Sequence, residues 1–348
     1  MNIKTKNVAV NYADAVKAGV DAAFRNWQTA IIRLAFFIIS IIGACLIIAI
    51  IFICVWYNSG INLQEFLNFI SIDKLGSFAY DLPQAVGLFF ISIILLLLYF
   101  IVVITIAMFI YGGTCGVVLS AIKDENYRFK MGDYISSAKK TFFPLMWFTT
   151  IIGGLGMVIL IIIGLDSWLT YSIIESSSNY AFGAIIKIFT ILITSILNIS
   201  MIAVIIALTF YGIASLYVNY ENGSRTTTAK QALKDAFNFI ANRPSSLWFL
   251  FIVGLFFTVG NAVLILIGLI MSKLPTIGTY ISFPFDILMY FIQSILSIAL
   301  LGSIFYYYGH AKGFNNSSIE TEFNPPHMID LSDLPINESQ QTEFQSNQ

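Results

Sequence analysis

Six long apolar segments constrain the fold of this chain more than any other feature of its sequence. A helix needs about 20 apolar residues to cross the hydrocarbon core of a bilayer, and its backbone groups must be hydrogen-bonded within the segment because lipid offers no partners. The sequence has no series of short alternating strands, which a β-barrel would require. We therefore predict an all-α integral membrane protein with six transmembrane helices, at roughly 31–57, 84–111, 144–165, 184–212, 247–271 and 283–308.

Composition agrees with a membrane environment. Hydrophobic residues make up 58% of the chain and charged residues 11%, whereas soluble domains contain about 25% charged residues. The net charge of -1 argues neither for nor against nucleic-acid binding, because the charges are strongly sorted along the chain. Cys45, Cys54 and Cys115 lie in or beside apolar runs without a CxxC pattern, and we interpret them as packing residues. We expect the lipid bilayer and a protein partner or a second copy as partners, with no nucleic acid and no cofactor.

The distribution of positive charge predicts the orientation. Fifteen of the 18 lysines and arginines lie before or at the start of the first span, between the second and third, between the fourth and fifth, or after the sixth. The other three, Lys74, Lys187 and Lys273, lie on the opposite side, in the remaining connections or at the start of the fourth span. Cytoplasmic loops carry an excess of Lys and Arg. We therefore predict that both termini lie in the cytoplasm.

Amphipathic segments precede the odd-numbered spans. In "TAKQALKDAFNF", residues 228–239, apolar residues recur at spacings of three and four, Thr228 and Gln231 form a potential capping box, and Pro244 follows the end. Segments 14–27 and 132–143 repeat the pattern. We predict surface helices at 12–28, 132–143 and 228–241 that lie in the headgroup region. The predicted apolar faces contain Val16, Val20 and Phe24, then Tyr134, Ala138 and Phe142, then Leu233 and Phe237.

A Tyr-Gly pair ends each even-numbered span. The segments are "FIYGG" with Tyr111 and Gly112, "TFYGI" with Tyr211 and Gly212, and "YYYGH" with Tyr308 and Gly309. Successive glycines are 100 and 97 residues apart. With two crossings each, the units share one orientation, which predicts three parallel units at 1–112, 113–221 and 222–313. The alternative is that amphipathic linkers and interfacial tyrosines occur in many multipass proteins without a repeat. The tail, 314–348, is acidic and predicted to be disordered and cytoplasmic.

These paired spans, the Tyr-Gly pairs and the amphipathic segments resemble uncharacterised bacterial multipass families. Among these, the pattern over about residues 8–313 is similar to the membrane-anchor domain of glycerophosphoryl diester phosphodiesterases. No soluble phosphodiesterase domain follows the last span, so no activity is carried over from this family. The resemblance implies a membrane module that is integral to a bacterial cytoplasmic (inner) membrane.

Few residues suit catalysis within the predicted spans. His310 and His327 are the two histidines, so neither an intramembrane Ser/His/Asp triad nor an H-E-x-x-H zinc site is formed. The candidate intramembrane polar residues are Asn198, Asn261, Asp286 and Gln293. We interpret the amides as interhelical hydrogen-bonding groups and Asp286 as a carboxylate at the outer interface, although an ionisable group at depth is also a functional hypothesis.

Two functions fit these features. The first is a non-enzymatic membrane scaffold or membrane-organising module. The second is a transporter or channel for a small solute, with the units arranged around a central path. A helix that lines a water path carries a stripe of polar residues. In this sequence the polar residues of the spans are scattered singly, which favours the scaffold.

Overall fold

The computed structural model describes residues 10–59, 83–176, 183–221, 228–273 and 278–312. Eight α-helices occupy these ranges. They are α1 Tyr12–Arg25, α2 Gln28–Ser59, α3 Pro83–Lys123, α4 Met131–Ser176, α5 Gly183–Glu221, α6 Ala229–Asn242, α7 Ser245–Ser272 and α8 Gly278–Ala311. Six of them, α2 to α5 with α7 and α8, are long and apolar enough to span a membrane. The prediction of an all-α multipass membrane protein is confirmed. The predicted tail at 314–348 lies outside the described residues.

The spanning helices form three antiparallel hairpins, α2–α3, α4–α5 and α7–α8. The second helices of the hairpins, α3, α5 and α8, also contact one another. The helices or helix segments that precede the hairpins pack against a neighbouring hairpin: α1 against α8, the first part of α4 against α3, and α6 against α5. The first and last described helices are therefore in direct contact.

The buried core lies at one end of the molecule, which we call the basal end. This end contains α1, the α3–α4 connection, α6 and both described chain ends, Val10 and Lys312. Here Cys115, Tyr211 and Phe305 are fully buried. In the opposite halves of the spans, apolar side chains such as Leu97 and Ile161 are more than half exposed. Apolar surface of this kind on a membrane-spanning helix contacts lipid tails or another apolar surface.

The helix boundaries differ from the predicted ones at α4. The sequence predicted a surface helix at 132–143 followed by a span at 144–165, but one helix runs from Met131 to Ser176 through Pro144. Its buried residues recur every three or four positions on both sides of the proline: Tyr134, Ala138, Thr141, Leu145, Phe148 and Ile152. A proline inside a helix removes one backbone hydrogen bond. One continuous packed face explains why the helix does not end there.

Side chains cap the two short helices. The Thr228 hydroxyl accepts a hydrogen bond from the backbone N–H of Gln231 at the start of α6, which confirms the N-terminal cap predicted for this helix. Asn11 caps α1 in the same way, through the N–H of Ala13. Such caps satisfy backbone donors that the first turn leaves unpaired. Pro244, predicted to follow α6, precedes the first residue of α7.

Candidate functional site at the basal end

The basal end contains the three Tyr-Gly pairs. Tyr211 is buried, and its hydroxyl donates to the Ser246 carbonyl at 2.7 Å. The Tyr211 ring lies 5.0 Å from that of Phe239, which lies 4.8 Å from Tyr308. These rings join α5, α6 and α8. Tyr111 is separate from this cluster: its ring lies beneath the Arg33 guanidinium of α2, at 5.7 Å.

Two of the paired glycines lie where helices approach closely. A Cβ atom at Gly212 would overlap the ring of Phe148 on α4. One at Gly112 would lie 3.2 Å from the Thr141 hydroxyl oxygen, also on α4. Gly309 is buried in the last turn of α8. Glycine at 112 and 212 therefore allows α3 and α5 to pack tightly against α4, as small residues do between membrane helices.

A chain of hydroxyl groups connects α3, α4 and α5. The Tyr217 hydroxyl donates to the Gly112 carbonyl at 3.1 Å and lies 2.8 Å from the Thr141 hydroxyl oxygen. The Tyr134 hydroxyl donates to the Ile110 carbonyl at 2.8 Å. Buried polar groups require such partners. The sequence predicted Tyr134 as an apolar-face residue, and it did not single out Tyr217, which lies four residues beyond the motif "TFYGI".

The helices α1 and α8 approach each other closely at two glycines of the basal end. A Cβ atom at Gly302 would lie 2.9 Å from the Gly19 Cα atom. A Cβ atom at Gly19 would overlap the Ala299 carbonyl and the Ser303 hydroxyl. Gly302 lies outside every motif noted in the sequence, and Gly19 lies in the amphipathic segment 14–27 without being one of its predicted apolar-face residues. The small residues Ala15, Ala22 and Ala299 beside them are the sequence signal for this crossing.

Arg25 donates hydrogen bonds to backbone carbonyls at the C-terminal end of α3. Its guanidinium donates to the carbonyls of Ala121, at 3.2 Å, and Glu125, and its Nε donates to the Asp21 carbonyl at 3.2 Å. The last carbonyls of a helix lack partners within the helix, and a positive charge there interacts favourably with the helix dipole. Arg25 therefore holds α1 against α3.

The predicted apolar faces of α1 and α6 divide between two environments. Val16, Val20 and Leu233 are partly buried against the core. Phe24 and Phe237 point away from it, with 63% and 59% of their surface exposed. The buried face of α6 instead consists of Ala229, Ala232, Ala236 and Phe239. In α4, Tyr134 and Ala138 are buried, and Phe142 is partly buried.

The candidate intramembrane polar residues do not converge. The Asn261 amide donates to the Phe257 carbonyl of its own helix at 2.9 Å. Asp286 is exposed and Gln293 is partly buried, both on α8. Asn198 lies on α5 with a buried amide oxygen that has no hydrogen-bond partner among the described residues.

Asn198 has a counterpart across the α4–α5 hairpin. The hydroxyls of Thr170 and Thr194 are hydrogen-bonded at 2.8 Å, and Asp166 and Asn198 are each four residues away on the same helix faces. In an antiparallel pair these two residues lie at the same level. One Asp166 carboxylate oxygen is also buried, without a partner in the described part of the chain. The sequence did not predict this pairing because it placed Asp166 beyond the end of the span.

A polar cleft of about 210 Å³ opens between α3 and α4. Its polar lining comprises Ser120, Asp133, Ser136, Ser137, Lys140, Thr141 and Tyr217. At its edge the Tyr127 hydroxyl donates to the Asp133 carboxylate at 3.1 Å. Partial burial, together with that carboxylate, raises the pKa of Tyr127 to about 12, so the hydroxyl remains a donor at neutral pH. The cleft presents hydroxyl groups, the Lys140 ammonium and the Asp133 carboxylate to a small polar group.

No grouping of three metal-ligating side chains occurs in the ranges that the structure describes. No family model, curated protein or solved structure matches the chain. The basal end is thus characterised by its contacts alone: a packed junction of α1, α3, α4, α5, α6 and α8, with an apolar centre and hydroxyl groups between helices.

Proposed function

We propose that this protein is a non-enzymatic membrane-organising module of the bacterial cytoplasmic membrane, built from three parallel units. Support for the units comes from the contacts of the helices that lead into the hairpins. Each lies against the second helix of another hairpin: α1 against α8, the start of α4 against α3, and α6 against α5. Thus α1 of the first unit contacts the third unit, α4 of the second unit contacts the first, and α6 of the third unit contacts the second. Such cyclic contacts are expected for three similar units placed around an axis.

The observation that carries the scaffold proposal is the apolar centre of the basal end. The Val118 side chain of α3 lies 3.5 Å from the position of a Cβ atom on Gly302 of α8, and the rings of Tyr217 and Phe305 are 5.9 Å apart between α5 and α8. Leu301 and Ile304 are buried beside them. A water path requires polar or wide walls. A packed apolar junction favours a structural role, in which the outer halves of the hairpins present apolar surface to lipid or to a partner.

The test is solute flux through purified protein in liposomes. We expect two rates to equal those of protein-free vesicles. These are the rate of proton flux driven by a potassium diffusion potential and the rate of vesicle swelling driven by a glycerol gradient. The scaffold proposal fails if either rate rises with the amount of reconstituted protein.

A transporter for a small solute is the second candidate, favoured by one observation: the unpartnered oxygens of Asp166 and Asn198 on facing positions of α4 and α5. An ionisable group within a membrane segment is costly and marks transport pathways in many proteins. Flux that is present in the natural protein and absent from Asp166→Asn supports this candidate. Asp286→Asn serves as the control, because the Asp286 side chain is exposed.

The proposed orientation places the basal end in the cytoplasm. A reporter active only in the cytoplasm, fused near Ser224 or Gln348, should give signal, and one fused near Ser77 should not. Signal at Ser77 alone would reverse the orientation. The measurement does not bear on the choice between scaffold and transporter.

A further inference from the structure

Arg33 is a positive charge close to the start of a membrane-spanning helix, five residues after α2 begins at Gln28. Its Nη1 atom donates to the Ser297 hydroxyl of α8 at 2.6 Å, and its guanidinium carbon lies 5.7 Å from the centre of the Tyr111 ring of α3. The guanidinium therefore occupies a crevice bordered by three helices. It lies at the level of Tyr111, the tyrosine of the first Tyr-Gly pair, at the basal end of the span.

Most hydrogen-bonding capacity of Arg33 is unused within the protein. A guanidinium has five N–H donors. Arg25 directs its donors to three backbone carbonyls, whereas Arg33 donates to Ser297 alone among the described residues. No carboxylate in the described ranges forms an ion pair with it. A partly buried charge is costly unless an opposite charge compensates it, so the crevice favours an anion.

The Arg33 side chain points toward the basal end, which is the membrane surface in the proposed orientation. Phe37 stacks on Tyr290 with ring centres 4.0 Å apart. The helices α2 and α8 are antiparallel, so the residue four positions before Phe37 on α2 lies level with the residue four positions after Tyr290 on α8. Arg33 is therefore level with Ser294. Arg33 instead reaches Ser297, nearer the basal end. Long basic side chains near helix ends extend in this way to the headgroup region.

We propose that Arg33 binds the phosphate of a membrane phospholipid whose acyl chains lie along the apolar surface beside Phe37 and Tyr290. Arginine recognises phosphate through two parallel charge-assisted hydrogen bonds, and the donors not used by Ser297 are available for them. Ser297 is a positioning residue. Its hydroxyl donates to the Ser294 carbonyl at 3.0 Å and so presents its oxygen to Arg33. This inference does not depend on the scaffold proposal.

The test uses the full chain purified in a mild detergent, with thermal unfolding followed by tryptophan fluorescence. Dioleoylphosphatidylglycerol is added at increasing mole fraction. We expect it to raise the melting temperature of the natural protein, and the half-effective lipid fraction to increase about tenfold in Arg33→Gln, as loss of a charge-assisted hydrogen bond predicts. Arg128→Gln is the matched control, because Arg128 is exposed on the α3–α4 connection. It should respond like the natural protein.

Two further additions identify the ligand. Dioleoylglycerol has the same acyl chains without phosphate, and inorganic phosphate has the anion without chains; neither should reproduce the stabilisation. The proposal fails if dioleoylglycerol protects equally, if inorganic phosphate protects equally, or if Arg33→Gln responds like the natural protein. Should Arg33→Gln not fold, Arg33→Lys keeps the charge and loses the planar pair of donors. It should bind several-fold more weakly, and unchanged binding would equally overturn the assignment.

Discussion

At the scale of single residues, the absence of a side chain decides how closely α1 approaches α8. Gly19 and Gly302 bring the two backbones together at a point where any Cβ atom on Gly19 would overlap the Ala299 carbonyl and the Ser303 hydroxyl. Neither backbone can yield without moving a whole helix. Both residues lie in α-helices, whose backbone conformation any residue can adopt. Glycine is therefore needed at these positions for lack of space and not for its backbone freedom.

Gly19→Ala should therefore destabilise the protein by about 1–3 kcal/mol, the usual cost of overpacking. Gly153→Ala is the matched control, because no atom lies within 4 Å of a Cβ atom at Gly153. In that helix the change should be neutral or stabilise by up to about 1 kcal/mol, through helix propensity. Thermal unfolding in detergent measures both. Equal effects would show that α1 and α8 do not meet at Gly19.

Tyr217 provides a second residue-scale prediction. Tyr217→Phe keeps the ring and removes the donor to the buried Gly112 carbonyl, so it should cost about 1–3 kcal/mol. Tyr12→Phe removes a similar hydroxyl, which donates to the Ser245 carbonyl at 3.2 Å at an exposed position, and should change stability by less than about 0.5 kcal/mol. Chemical denaturation of the two variants gives the comparison. A larger loss in Tyr12→Phe would contradict the buried network.

At the scale of elements, α6 shows two kinds of apolar contact two residues apart. Phe239 is buried among Tyr211, Tyr307 and Tyr308, whereas Phe237 points away from the protein. Phe24 of α1, 213 positions earlier than Phe237, is exposed in the same way. The exposed rings of Phe24 and Phe237 suit insertion at the acyl boundary, while the buried faces of α1 and α6 pack against the core.

We expect Phe239→Ala to cost about 3–5 kcal/mol, because it leaves a cavity within an aromatic cluster. Phe237→Ala is its internal control and should barely change the unfolding temperature in detergent. In liposomes, a spin label on a cysteine at 237 should be shielded from a water-soluble relaxant, and one at 234 exposed to it. Similar accessibility at 234 and 237 would mean that α6 does not rest on the membrane.

The sequence predicts elements of this protein better than contacts between them. Hydropathy locates the six candidate spanning helices of the described residues because lipid requires about 20 apolar residues in succession. The period of 3.6 residues identifies α6. The same hydrophobicity does not distinguish Phe237 from Phe239, since lipid and protein interior are equally apolar. Hydrophobicity also does not show that Arg25 donates to the Ala121 carbonyl of α3 or that Arg33 donates to Ser297. These partners are 96 and 264 residues apart in the sequence. Those contacts depend on which helices become neighbours.

At the scale of the whole molecule, the contact between the first and last described helices joins the ends of the chain. Hairpin contacts are local in sequence, but α1 with α8 and α5 with α8 connect the first and second proposed units to the third. The basal core draws residues from all these helices, including Ala15, Leu216 and Phe305. The junction thus connects the three hairpins at their basal ends.

This arrangement predicts that the protein assembles from two pieces. Residues 1–224 and 225–348, produced as separate chains in one cell, should co-purify through the contacts of α1 and α5 with α8 and of α5 with α6. Gly19→Leu in the first piece should reduce co-purification strongly, because the larger side chain separates α1 from α8. Gly153→Leu, in the same piece at an exposed position where no atom lies within 4 Å of a Cβ atom, should leave it unchanged. If the natural pieces do not associate, or if Gly19→Leu and Gly153→Leu behave alike, the α1–α8 contact does not hold the molecule together.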